Sequence, residues 1–154
     1  MDIEDLITPS RVVAGLKATS KKQVLQELAR RASLDTGLHE RNVFDVLLER
    51  ERLGTTGVGN GIAIPHGRFA GLETIYGMFV RLETPVDFDA VDDQPVDLLF
   101  LLLAPETAGA DHLKALARVS RLLRDRTICE KLRGSDTSDA LYAVLTSAAQ
   151  SHAA

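Results

Sequence analysis

Apolar residues first recur at helical spacing downstream of Ser20, where Val24, Leu25, Leu28, Ala29 and Ala32 fall on one face. Ser20 with Gln23 matches the capping box, in which each side chain satisfies an orphan amide at a helix start. A second helix is expected from about His39 to Arg52, with Val43, Phe44, Leu47 and Leu48 as its buried stripe. Its last turn, Glu49-Arg50-Glu51-Arg52, is densely charged, and Gly54 is a natural stop. The pattern then changes. Ile75–Leu82 and Val96–Leu103 read as strands, and the second is almost wholly apolar, as a central strand covered on both faces would be. Val86-Asp87-Phe88, flanked by Pro85 and Pro95, reads as a short edge strand. Helical spacing returns with Asp111 as N-cap, Leu113, Leu116, Ala117, Ser120 and Leu123 on one face, and His112 in the first turn. Asp125 caps a short helix ending before Gly134, and Leu141, Val144 and Leu145 mark a last one. The order shows neither strict βαβ alternation nor an internal repeat. It predicts a single α/β domain, a mixed β-sheet flanked by helices.

Composition narrows the function more than the fold. At 154 residues, 45% hydrophobic and 26% charged, the chain fits one globular domain and not a disordered one. Eighteen basic against twenty-two acidic residues leave a net charge of −4, which argues against a nucleic-acid partner. Aromatics are 5% with no Trp, so no stacking platform is evident. The single cysteine, Cys129, excludes a disulfide framework and a four-thiolate zinc site, and fits a reducing cytoplasm. The opening Met1-Asp2-Ile3-Glu4-Asp5 is acidic where a signal peptide is basic. The longest strongly apolar run, Leu98–Ala104, falls far short of the ~20 residues that span a bilayer. A cytoplasmic protein without membrane insertion is expected.

Six of the eleven glycines fall between Gly54 and Gly71. Gly57-Val58-Gly59-Asn60-Gly61 is not a dinucleotide fingerprint, because Ile62 stands at the third glycine position and a strand-like Ile62-Ala63-Ile64 follows. A nucleotide phosphate loop fails for want of Gly-Lys-Ser/Thr. A glycine cluster of this kind reads first as a set of tight turns. His66 changes the weighing. Pro65 fixes the backbone before it and Gly67 leaves room after it. Neutral imidazole is a good nucleophile near pH 7. On the tripeptide alone, an ordinary surface histidine remains the simpler reading.

Glu49-Arg50-Glu51, Thr55-Thr56-Gly57, Gly59-Asn60-Gly61-Ile62-Ala63-Ile64-Pro65-His66-Gly67 and His112-Leu113 together resemble the enzyme IIA domain of the bacterial phosphotransferase system, mannitol/fructose type. Thr84-Pro85-Val86-Asp87-Phe88-Asp89-Ala90 and Asp92 to Phe100 are similar to its nitrogen-regulatory subfamily, enzyme IIA-Ntr. The resemblance runs from about Leu6 to Ala148, residues 6–148, and is identified with one type-2 enzyme IIA domain. It implies a phosphoryl carrier in which His66 accepts a phosphoryl group on Nε2 from a histidine phosphocarrier of the HPr type. Arg50 and His112 belong to the same implied site. It also implies regulation of target proteins, such as potassium-transport components or sensor kinases, by phosphorylation state. No cofactor and no metal are implied.

The physical roles follow from the chemistry. Transfer of a phosphoryl group needs positioning and charge stabilisation. The ring nitrogen of His66 that does not attack should donate a hydrogen bond, best to a backbone carbonyl. Arg50 offers a planar fork of donors to the phosphoryl oxygens. His112 adds a donor near a helix N-terminus, and free amides of the glycine loop complete a cradle. Each residue has a plainer alternative. Arg50 suits a helix C-terminus in any case, and His112 alone reads as a surface residue. Arg52 and Arg68 lend positive potential without touching phosphate. Asp87, Asp89, Asp92 and Asp93 read as a solvated loop, or as a face for a basic partner. Thr55 and Thr56 form the turn or donate hydroxyls. His39 and His152 have no such company. Three rivals stay open: a stand-alone sugar-specific enzyme IIA serving a IIB component, a binding module never phosphorylated, and, weakly, a histidine metal site.

Overall fold

In a computed structural model that describes residues 1–153, with side chains to Ala148, the elements are as follows. Two single 3₁₀ turns, Ile3–Asp5 and Pro9–Arg11, precede β1 (Val12–Leu16), α1 (Lys21–Thr36) and α2 (Glu40–Arg52). Then come β2 (Gly57–Gly59), β3 (Ile62–Ala63), β4 (His66–Phe69), β5 (Tyr76–Val86), β6 (Val96–Pro105), α3 (Gly109–Leu123), α4 (Arg126–Arg133) and α5 (Ser138–Ala153). None of the described helices is long and apolar enough to cross a membrane.

The apolar run read as a central strand is β6. It pairs antiparallel with β5 on one side and parallel with both β3 and β4 on the other. The sheet order is β1-β5-β6-β3-β2, with β4 following β3 along the same edge of β6. β1 runs parallel to β5, and β2 antiparallel to β3. Successive side chains on a strand point to opposite faces. Leu99, Leu101 and Leu103 therefore enter a core with Leu25, Leu28 and Leu47 of α1 and α2. Leu98, Phe100 and Leu102 enter a second core with Val119, Ile128 and Leu141 of α3, α4 and α5. Two cores are the reason β6 has no polar face, and the mixed, helix-flanked sheet is the expected class.

The differences have local causes. β1 was not anticipated, since Gly15 at φ +71 breaks its alternation. Val86 is the last residue of β5, pairing with Val96, and no separate strand follows at Asp87-Phe88. Pro85 is tolerated inside β5 because the ladder is irregular between Arg81 and Val86, where no proline N–H is needed. At α1, the Ser20 side chain accepts from the Gln23 amide, but Gln23 reaches back to the Thr19 amide, one residue short of a full capping box. α3 starts at Gly109, so Asp111 lies in its first turn, favourable for the dipole, and caps nothing. The buried stripe of α3 is His112, Ala115, Val119, Leu122 and Leu123, about one position around the helix from the expected one. Counting His112 as polar misplaced that stripe: with His112 turned inward, Leu113, expected on the buried face, is 64% exposed.

Candidate functional site

Among the described residues β4 pairs only with β6, with His66 opposite Leu102 and Gly67 opposite Leu103. His66 and Arg68 therefore share one face of the strand, Gly67 and Phe69 the other. Phe69 belongs to the core under α1 and α2, and a Cβ on Gly67 would stand 2.8 Å from Val46 of α2. His66 and Arg68 are left facing α3. Glycine is required where α2 sits this close, and that contact fixes which way His66 points.

α3 supplies His112 from that side. The two imidazole centroids lie 5.6 Å apart with planes at 70°. His66 Nδ1 is 2.8 Å from the Ile64 carbonyl. A carbonyl can only accept, so Nδ1 carries the proton and the Nε2 lone pair is free. Arg68 Nε donates to His112 Nδ1 at 3.3 Å, which places the His112 proton on Nε2. That Nε2 is buried and has no hydrogen-bond partner among the described residues. One ring thus presents a lone pair and its neighbour an unused N–H.

Both imidazoles are held in the neutral form. Burial, aided by the Arg50 charge, lowers the His66 pKa against the opposing pull of the Ile64 carbonyl and Glu51. Burial, then His66 and Arg68, lowers that of His112. An NMR titration should therefore find both midpoints below the ordinary 6.5. Because the unfolded chain takes up these protons first, the pair stabilises the fold above that pH. Its contribution is lost as pH falls through the lowered folded-state values. A midpoint at or above 6.5 for either ring would contradict the arrangement.

Arg50 occupies the last turn of α2 and donates through Nη1 to the Gly54 carbonyl at 2.8 Å, as a helix-end cation does. Its charge nevertheless acts on His66. The structure thus gathers all three expected residues, with the histidines in ring contact and Arg50 coupled through charge.

The glycine segment forms the tight turn expected of it, and the Asn60, Gly57 and Thr56 amides are taken by Asp92, Thr55 and Glu51. Asn60 and Gly61, at φ 57 and 79, make the two-residue turn of the β2–β3 hairpin. Asp92 accepts from the Asn60 amide at 2.9 Å, so part of the acidic stretch pins this hairpin tip. The Thr55 hydroxyl donates to the Phe88 carbonyl at 2.9 Å.

Sequence reasoning gave no role to Glu51 or Lys21 and placed Arg68 at a distance. Glu51 is buried at 7% exposure, takes the Thr56 amide on both carboxylate oxygens, and pairs with Lys21 Nζ at 3.0 Å. Lys21 also lies 3.7 Å from Asp89. One buried ion pair thereby ties the start of α1, the end of α2 and the loop approaching His66. Position 51 continues the buried Val43, Leu47 stripe by one helical step, and that spacing was the available signal. Arg52 pairs with Glu49 on the surface. His39 caps α2 through its backbone alone, and the His152 side chain lies outside the described residues.

Comparison with known proteins agrees with this geometry. The family model described as "Phosphoenolpyruvate-dependent sugar phosphotransferase system, EIIA 2" matches residues 5–148. A nitrogen regulatory protein of Bradyrhizobium diazoefficiens is 61% identical over 145 residues, 94% of this chain and 95% of that protein. The crystal structure of nitrogen regulatory protein IIA-Ntr from Neisseria meningitidis superposes with a TM-score of 0.89 at 38% identity, covering 94% of this chain and 99% of that one. The Escherichia coli IIA mannitol structure shares the fold, with a TM-score of 0.75 at 21% identity over 90% and 98% of the two chains. By the extent of these matches, the chain belongs to the EIIA 2 family of the phosphoenolpyruvate-dependent sugar phosphotransferase system and resembles the nitrogen regulatory proteins within it.

Proposed function

We propose that this protein is a cytoplasmic phosphoryl carrier and regulator of a nitrogen-type phosphotransferase system. His66 Nε2 accepts a phosphoryl group from a phosphohistidine on an HPr-like protein. The phosphorylation state then governs binding to target proteins, such as potassium-transport components or sensor kinases. The observation that carries this reading is the Nδ1 bond of His66 to the Ile64 carbonyl, which leaves Nε2 as the nucleophile. As the new bond to phosphorus forms, the donor's phosphorus–nitrogen bond breaks and its electron pair returns to the donor ring. His66 keeps its Nδ1 proton throughout, and the Ile64 carbonyl stabilises the positive charge the ring acquires. In this reading His112 Nε2–H and the Arg50 guanidinium take charge on the transferring oxygens, a role supported by the unpartnered His112 Nε2 and by the effect of the Arg50 charge on His66. Leu53 at 80% and Leu113 at 64% exposure lie close in sequence to Arg50 and His112 and offer apolar surface to a protein partner.

Incubation with enzyme I, an HPr-type protein and phosphoenolpyruvate, followed by mass spectrometric location of the phosphoryl group, tests the proposal. Phosphate on His66 is expected, and its absence would refute the carrier role. Onward transfer to an added IIB domain would favour sugar uptake over regulation.

Arg50 has its own test. If its guanidinium contacts the transferring group, Arg50→Lys should slow transfer by about 10²-fold, the low end for a lost preorganised donor, because Arg50 and His66 are both partly exposed. A residue that serves only the helix end should tolerate lysine, which suits the dipole equally well. Rapid-quench transfer rates, with thermal stability measured alongside, separate the two. A wild-type rate in a normally folded variant would remove Arg50 from the site.

A further inference from the structure

Two buried side-chain atoms have no hydrogen-bond partner among the described residues: Nε2 of His112 and Oγ1 of Thr56. The first belongs to the site already described. The second has no assigned role, although Thr56 is only 4% exposed. Its backbone is fully engaged. The amide donates to Glu51, and the carbonyl accepts from the Ile64 amide at 3.0 Å. The Ile64 carbonyl in turn holds His66 Nδ1. Thr56 is therefore one cross-strand step from the residue that orients His66.

The pleat fixes the face of its side chain. Gly57 pairs with Ala63, which belongs to the α1–α2 core, and a Cβ on Gly57 would stand 2.9 Å from Ala90 of that same core. The flanking pair, Thr56 and Ile64, projects the opposite way, and Ile64 does join the core under α3. That is the face of His66 and His112.

We propose that the Thr56 hydroxyl is a further phosphoryl ligand, donating to an oxygen of the group carried on His66 Nε2 opposite the His112 N–H. The inference rests on the carrier reading. An unpaired buried hydroxyl destabilises the fold that contains it. Valine has nearly the same shape and would remove that penalty. Once His66 is phosphorylated, the hydroxyl gains a charged acceptor, and such bonds are roughly twice as strong as neutral ones. Thr56 thus weakens the unphosphorylated form and stabilises the phosphorylated one. No additional bond is made or broken in the transfer.

The test compares wild type, Thr56→Val and Thr56→Ser, each equilibrated with a phosphorylated HPr-type donor. It reads the phosphotransfer equilibrium, the ³¹P shift on His66 and the Tm of the unphosphorylated protein. Thr56→Val should raise Tm by roughly 2–4 °C and shift the equilibrium away from phospho-His66 by about tenfold. The ³¹P signal should move, and Ser should restore equilibrium and shift. An unchanged equilibrium in Thr56→Val, with wild type phosphorylated on His66, would overturn the role of Thr56 and leave the carrier reading standing. A Val variant that loses transfer and Tm together, unrescued by Ser, would also overturn it, since the hydroxyl would then serve the fold. Wild type that takes no phosphate on His66 would overturn both.

Discussion

His66→Ala should abolish phosphoryl incorporation while leaving the fold intact. The neighbouring histidine cannot take over. Arg68 holds the Nδ1 of His112, its Nε2 carries the proton, and the ring is 5% exposed. A nitrogen already protonated has no lone pair with which to attack phosphorus. His66 itself is half-buried at the start of a strand whose packing depends on Gly67 and Phe69, so its truncation should cost little stability. Autoradiography after incubation with the phosphoenolpyruvate relay, on protein with unaltered circular dichroism, provides the check. Acid-labile, alkali-stable phosphate persisting on the variant would refute the assignment.

The second large effect concerns stability. Glu51→Ala strands Lys21 beside an apolar ring, with Nζ 4.8 Å from the centre of Phe88, and frees the Thr56 amide. Removing one member of a buried pair typically costs 3–5 kcal/mol. The Lys21 side chain retains 18% exposure and Asp89 nearby, so the low end applies, about 3 kcal/mol. For a chain of this size that is a fall in Tm of roughly 6–12 °C. Urea unfolding should show the loss in the midpoint at constant slope. A change below about 1 kcal/mol would mean that solvent screens the pair as it does on a surface.

How much of this was written along the chain depended on the range of the forces involved. Helix faces and the central strand were legible because periodicity reports burial directly. Leu25 and Leu28 on α1, and Leu98 to Leu103 on β6, lie where the pattern puts them. The turn at Asn60-Gly61 and the cap at Asp125 are similarly local chemistry. Reading failed where a polar residue occupies an apolar position. His112 and Glu51 both continue a buried stripe, and treating them as surface residues rotated α3 and hid the ion pair behind the loop. Arg68 escaped because its partner lies 44 positions away, a separation no local pattern encodes. His66 and its two expected companions were found through resemblance of the surrounding strings. Spacing alone left each of them with a plainer alternative.

The two cores separated by the sheet bear on how the site keeps its shape. His66 is oriented by a glycine pressed against α2, within one core, whereas His112 rides on a helix seated in the other. The gap between the rings therefore depends on how β4 and α3 are each seated, with the Arg68–His112 hydrogen bond bridging the two. Close-packed interiors transmit small volume changes over several residues. The site then works like a caliper: its jaws belong to different halves of the molecule, and its opening registers strain in either half, including at positions far from any histidine.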